Sequence, residues 1–412
     1  MKNKTSHRAP GLKASIAGLF LLMLAGALGA AIEPPNLGDE KDSLKKAEWK
    51  VIDVLIDTYG ATDWSQVTDH LESYPDDAGN PNVMVIPLSL GNAYLNRYEA
   101  TGNVSDYEQA LQYFELVAGK HELWGKRWLT PAVVHYLAVS VNRVRRDCED
   151  YTRLPGVPRK RIKVLWKKVL RILKLEADFR LTVDLPYAPY VSCFTGDTKA
   201  EENAWEATLF AAAASFLPED PEAPAWDEKA RLLAYNAITR PSDPPDKSGT
   251  KTCTVGEDLT LSNHGLSPNP YYAGATLFLL TQGALTYRLT DRPIPEEFTH
   301  NIQEFYTKYT SYLSGDLSWL VPSDPEGDAT LFPLLFDSKL EREAVKQKAI
   351  RGYLWKRTAP VQVMSTGSEL WEAIQNSKVV LYYLMSSYLW RFPSPAPCYE
   401  VRFRMPEDGQ VQ

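Results

Sequence analysis

Apolar side chains recur at i, i+3, i+4 and i+7 through almost every long segment of this chain, and strand-like alternation is confined to short runs. That period places the apolar residues on one face of a helix, and it leaves an all-α fold as the reading. The helical segments run 44–59, 86–102, 105–120, 130–147, 159–180, 199–217, 224–239, 295–313, 338–355 and 367–392, with one more in 261–288 after its Gly/Pro loop. At 105–120, Ser105 precedes Glu108 by three residues, a capping-box spacing that predicts the helix start there. Pro/Gly/Asp-rich connections separate the segments.

Helices of this kind bury their faces either as an open solenoid or as hairpins closed into a ring. The 34-residue period of a tetratricopeptide array is missing, and polar insertions at 182–198, 240–262 and 315–337 interrupt any regular stacking. The expected architecture is therefore an (α/α) toroid of helical hairpins over 32–392, with the long loops gathered into one cleft. Loops of that length are commonly functional.

The N-terminus predicts export. Lys2, Lys4, Arg8 and Lys13 precede the apolar run "IAGLFLLMLAGALGAA" at 16–31, which ends in small residues. A basic region, a short apolar core and a small-residue end make a signal peptide over 1–31, and the run is shorter than the ~20 residues of a membrane span. An uncleaved anchor is the alternative. The mature protein is expected to be secreted or periplasmic without a transmembrane domain, with 393–412 as a C-terminal tail. Cys148, Cys193, Cys253 and Cys398 allow three pairings in an oxidising compartment, and no CxxC suggests zinc. A net charge of −7 gives the whole chain no attraction for nucleic acid.

The segment "LSNHGLSPNPYYAGATLFLLTQGALTYR" (261–288) sets Asn263 and His264 on a Gly/Pro/Ser loop, with Tyr271 and Tyr272 at the mouth of an apolar helix. Turn formation, gap filling and packing account for each residue separately. Together they also suit β-elimination on a uronic acid. Donors from Asn263 and His264 would stabilise charge building on the sugar carboxylate, while Tyr272 or Tyr271 transfers the C5 proton and protonates the departing C4 oxygen. No metal or cofactor is needed for that chemistry.

A second segment, "DTKAEENAWEA" (197–207), opens a helix. Asp197 or Thr198 near the N-cap and acids in the first turn explain it structurally. The functional alternative puts Asn203, Glu202 and Trp205 in the cleft, the amide donating to a substrate and the indole stacking on a sugar.

"SNHGLSPNPYYAGATLFL" resembles the Asn-His segment of α-toroid polysaccharide lyases, the alginate lyases and heparinase II/III-like proteins. Residues 194–239 resemble helices of the heparinase II/III-like group. The resemblance is confined to 194–239 and 261–288, 74 residues of 412. The resemblance implies that His264 is the carboxylate-binding or base histidine and Asn263 its neighbour, and that a tyrosine, a histidine or both transfer protons. Tyr271 and Tyr272 match the pattern in which that tyrosine follows the histidine closely; Tyr306, Tyr309 and Tyr312 match one in which it lies on a later helix. The larger heparinase-type lyases also carry a C-terminal β-sandwich, for which this chain leaves no room, so a compact single-domain lyase or a relative without activity is expected.

Other residues keep different classes open. Glu201, Glu202, Asp324 and Asp328 could supply the acid and base of a glycoside hydrolase on a helical toroid. A non-catalytic saccharide-binding relative is the third reading. Trp319, on the long loop 315–332, is either a rim aromatic for a saccharide or loop packing. The helix 159–180 carries eight Lys/Arg from Arg159 to Lys174 and no acid among them. That run is a solvated face, a landing strip for an anionic polysaccharide, or a membrane-surface contact. No GxSxG, P-loop, HExxH or GxGxxG motif occurs.

Overall fold

A computed structural model describes residues 52–69, 79–149, 159–183, 198–314 and 320–322, with 373–374, 377–378, 380–381 and 384–385. The chain divides after Asn36, and all of these residues belong to the unit Leu37–Gln412. The described residues are helical without a β-strand, so the all-α class holds. The signal peptide expected at 1–31, the helix expected at 338–355 and the tail expected at 393–412 lie outside the described residues.

Eight principal helices organise the described part: α1 (Val85–Thr101), α2 (Val104–Gly119), α3 (Thr130–Glu149), α4 (Arg159–Thr182), α5 (Ala200–Phe216), α6 (Ala223–Ala237), α7 (Pro270–Leu289) and α8 (Ile302–Thr310). Consecutive helices pair, α1 with α2, α3 with α4 and α5 with α6, and α5 also packs on α3, α4 and α7. The Ser89 hydroxyl of α1 donates to the carbonyl of Ser377, which joins two helical segments 288 residues apart.

The helix ends follow local chemistry. α2 is capped by Asn103, whose side chain accepts from the Ser105 amide, rather than by Ser105 as the capping-box spacing suggested. Asn103 wins because Gly102 ahead of it, at φ 70°, ends α1 in the left-handed region and leaves Asn103 extended, the backbone an N-cap requires. The segment 295–313 is not one helix: a 3₁₀ turn at Glu296–Thr299 and α8 are separated by Asn301 at φ 54°. Its side-chain amide is drawn to Ile238 O (3.0 Å) and Asp243 Oδ2 (2.6 Å), which fixes the break. The stretch 240–262 is held by buried polar groups, among them Asn236 Nδ2 donating to Asp246 (2.7 Å) and the Thr254 amide to Thr239 O (2.9 Å).

Burial separates two kinds of helix. α4 is amphipathic, with Ile162, Leu165, Val169, Ile172 and Leu173 inward. α5 is enclosed on nearly every side; of its residues only Trp205 and Phe216 reach partial exposure. A run of alanines along its second half lets neighbouring helices close on it, which makes α5 the centre of the described core. Close approach also governs the α1–α2 contact, where a methyl on Gly91 would stand 2.5 Å from Phe114 Cε1. Gly91→Ala should therefore destabilise the protein by about 1–3 kcal/mol despite its better helix propensity, seen as a lower urea midpoint with unchanged slope.

The core also encloses charge. Arg180 of α4, 4% exposed, donates to Glu206 of α5 and to the Arg127 carbonyl (2.6 Å). Beside it, the fully buried Glu176 accepts from His121 Nε2 (2.7 Å) and the Lys126 amide (3.0 Å). Burial pushes the Glu206 carboxyl up to about 7 in spite of the guanidinium's opposing pull.

Candidate functional site

Residues 263–266 form a tight turn. The Asn263 amide donates to Leu266 O (3.0 Å), and the Leu266 amide returns to Asn263 O (2.9 Å). Both central residues are left-handed, His264 at φ 49° and Gly265 at φ 78°, as a primed turn demands. Glycine meets that demand freely. Histidine does so less readily, so the turn needs outside support.

Asn263 supplies the support from beneath. It is 0% exposed; its Oδ1 accepts the His264 amide (2.7 Å), and its Nδ2 donates to Glu201 Oε1 (3.1 Å) in the first turn of α5. Asn269, just ahead of α7, braces the same turn by donating from Nδ2 to Asn263 O (3.0 Å), and its amide binds Leu261 O (2.8 Å). Pro270 then opens α7, where a missing N–H costs nothing.

His264 stands exposed at the tip. Tyr272, half-buried in the first turn of α7, meets it: the phenol oxygen is 3.1 Å from Nδ1 and 3.3 Å from Nε2, with ring centroids 4.8 Å apart at 68°. A single O–H cannot serve both nitrogens, so a small ring rotation selects which one it pairs with. Tyr271 packs edge-on against Tyr272 at 5.0 Å and 85°. Imidazole, phenol and a second phenol thus sit in one row, the exposed imidazole on a turn held by two buried amides and the two half-buried phenols at the helix start beside it. Tyr306 and Tyr309 are fully buried in α8, away from solvent.

The residues of the second segment divide. Glu202 is buried with Oε1 on Lys199 Nζ (3.0 Å). Asn203 is fully buried, its Nδ2 reaching Asn236 O at 3.4 Å while its Oδ1 has no hydrogen-bond partner. Trp205 alone of the three keeps some surface, edge-on to Trp128 at 6.2 Å and 77°. Lys199 Nζ also lies 5.1 Å above the Trp128 ring. Thr198 makes no cap; Lys199, at φ 61°, holds that position instead. The bond from Asn263 to Glu201 ties this second segment to the first. Asp197, Trp319, Asp324 and Asp328 lie outside the described residues, as does Cys193; Cys253 is disulfide-bonded.

Sequence reasoning did not reach Trp128 as part of this neighbourhood, nor the bracing role of Asn269 or the place of Lys199 over the Trp128 ring. Trp128 sits between helices with no motif around it, and its approach to Trp205 is a long-range contact. A separate cavity of about 320 Å³ is lined by Tyr235, Pro244, Lys247, Glu297 and His300 among others, and includes none of the Asn-His residues. It is formed by α6, residues 244–247 and the 3₁₀ turn Glu296–Thr299, whereas the Asn-His row is an exposed turn beside a helix start. Chemistry, not volume, singles out the latter. Among the described residues no group of three or more His, Cys, Asp or Glu is placed to hold a metal, and no helix is long and apolar enough to cross a membrane.

Comparison of the chain with protein-family models, curated proteins and solved structures gives no significant match in any of the three.

Proposed function

We propose that the protein is a polysaccharide lyase acting on a uronate-containing polymer by β-elimination, with His264 and Tyr272 as its reacting pair. The observation that carries this reading is the hydrogen-bond distance between an exposed imidazole on a buttressed turn and a half-buried phenol at the adjoining helix start. A phenol is a weak acid, so it becomes a base only when a neighbour takes its proton, and an imidazole is suited to that. As the Tyr272 oxygen removes the C5 proton, its own proton passes to His264. The resulting imidazolium then faces the negative charge that moves onto the substrate carboxylate. The C4–O bond breaks, C4=C5 forms, the departing oxygen takes a proton from Tyr272 or Tyr271, and His264 returns its proton to the phenolate so that both side chains end as they began. The net proton transfer runs from C5 to O4 without a metal or cofactor.

Asn263 acts through this pair. Its amide is committed to Glu201 and to the His264 backbone, so it sets the imidazole's position, while Trp205 offers an apolar face for a sugar. Glu202 and Asn203 support the wall behind it. The hydrolase reading has less support, because Glu201 and Glu202 are buried and already engaged by Asn263 and Lys199. The pairing of successive helices and the Ser89–Ser377 bond favour hairpins closed into an (α/α) toroid. The N-terminal segment favours a secreted or periplasmic setting.

A screen of alginate, heparin-like, chondroitin-like and pectic polymers tests the reaction class. New reducing ends should rise in step with the ultraviolet absorbance of the unsaturated sugar for one of them. Reducing ends without unsaturation would assign a hydrolase, and retention of polymer with neither product would assign a binding protein.

A further inference from the structure

The helix α4 presents one face that, among the described residues, packs against no other element. At 3.6 residues per turn, Lys160, Val164, Lys167, Lys168, Arg171 and Leu175 fall within about 100° of arc, along about 22 Å of axis. The opposite face, Ile162, Leu165, Val169, Ile172 and Leu173, is buried. Val164 is 61% exposed and Leu175 45% exposed, two of the four large apolar residues that stand out among the described residues.

The edges of the strip differ from its centre. On one flank Arg161 is held by Glu108 and Glu115 of α2; on the other Lys174 is held by Asp178 and Asp220. Among the described residues Lys160, Lys167, Lys168 and Arg171, with Lys163 beside them, form no ion pair. The acids of the neighbouring elements stop at the rim. In a chain of net charge −7, a strip of unneutralised cations is a local field of the opposite sign.

We infer that this face of α4 is a docking strip for a linear acidic polysaccharide, a binding surface apart from the His264–Tyr272 pair. The cations are spread along an axis rather than gathered in a pocket, which suits a polymer charged at intervals over a single small anion. The two exposed aliphatic side chains between them give apolar patches for sugar rings. A lipid surface fits worse, since a helix that lies in a membrane interface presents a broad apolar face outward, and here that face is buried in the protein. Nucleic acid fits worse as well, because no aromatic side chain lies on the strip for bases to stack on. The identity of the polymer as a polyuronate rests on the lyase reading; the strip itself does not.

Binding separates the two ideas. On the full chain, Lys160→Gln, Lys167→Gln, Lys168→Gln and Arg171→Gln together should weaken affinity for alginate or heparin at least about tenfold at low salt. The slope of log affinity against log salt should become shallower by up to about 3. Helicity by circular dichroism should stay unchanged, as all four side chains are exposed. Independently of any variant, bound polymer should protect Lys160, Lys167 and Lys168 of the parent chain from amine acylation. The inference is overturned if the parent is not retained on any acidic polymer, if the fourfold variant binds as tightly as the parent, or if acylation proceeds unprotected. It is equally overturned if vesicles rich in phosphatidylglycerol, or single-stranded DNA, bind the strip more tightly than the polymers do. Loss of unsaturated product with strip-dependent binding intact would remove the lyase reading and leave the strip.

Discussion

His264→Ala should abolish formation of unsaturated sugar, by roughly a thousandfold or more, while leaving the far-ultraviolet circular dichroism of the protein unchanged. The side chain is exposed at the tip of a turn whose hydrogen bonds are made by Asn263, Leu266 and Asn269, so its removal takes nothing from the core. Tyr272→Phe is the sharper companion. Phenylalanine keeps the edge contacts with His264 and Tyr271 and deletes only the oxygen that stands 3.1 Å from Nδ1. Its expected loss is roughly a hundred- to ten-thousand-fold in kcat with KM little changed. Product release at the parental rate by either variant would remove that residue from the mechanism.

Arg180→Met should be the most destabilising single change in the described fold, by about 3–5 kcal/mol. Methionine fills the space but leaves Glu206 and Glu176 buried without their guanidinium. The effect should vary with pH, and its sign follows from Glu206. In the folded protein that carboxyl is raised from its ordinary value to about 7 by burial. Between the ordinary carboxylate range and pH about 7 the folded chain therefore keeps a proton that the unfolded chain has released. Stability from this group is complete below that range and falls as pH rises through about 7, by a total of about 3 kcal/mol. Urea midpoints of the parent at about pH 5 and about pH 8 should differ in that direction. In Glu206→Gln this part of the difference should vanish, and in Arg180→Met it should widen because no cation then offsets the ionised form.

The helices were legible because burial of one face imprints the sequence with its period, and α4 or α7 could be outlined to within a few residues. The break at Asn301 was not, because a left-handed residue inside a polar stretch leaves no trace in periodicity. The His264–Tyr272 approach was legible in part, being eight positions of a turn running into a helix start. The Asn263–Glu201 bond, spanning 62 residues, was beyond reach, and with it the fact that Asn263 lies beneath the turn rather than on its surface. Polar side chains look alike in sequence whether they face water or brace a loop.

The left-handed backbone at residue 264 also bears on how this chain would change over generations. Glycine would settle into that conformation more comfortably than an imidazole does. Lineages released from any demand for the ring should drift toward glycine, whereas lineages that hold histidine there do so against the backbone's own preference.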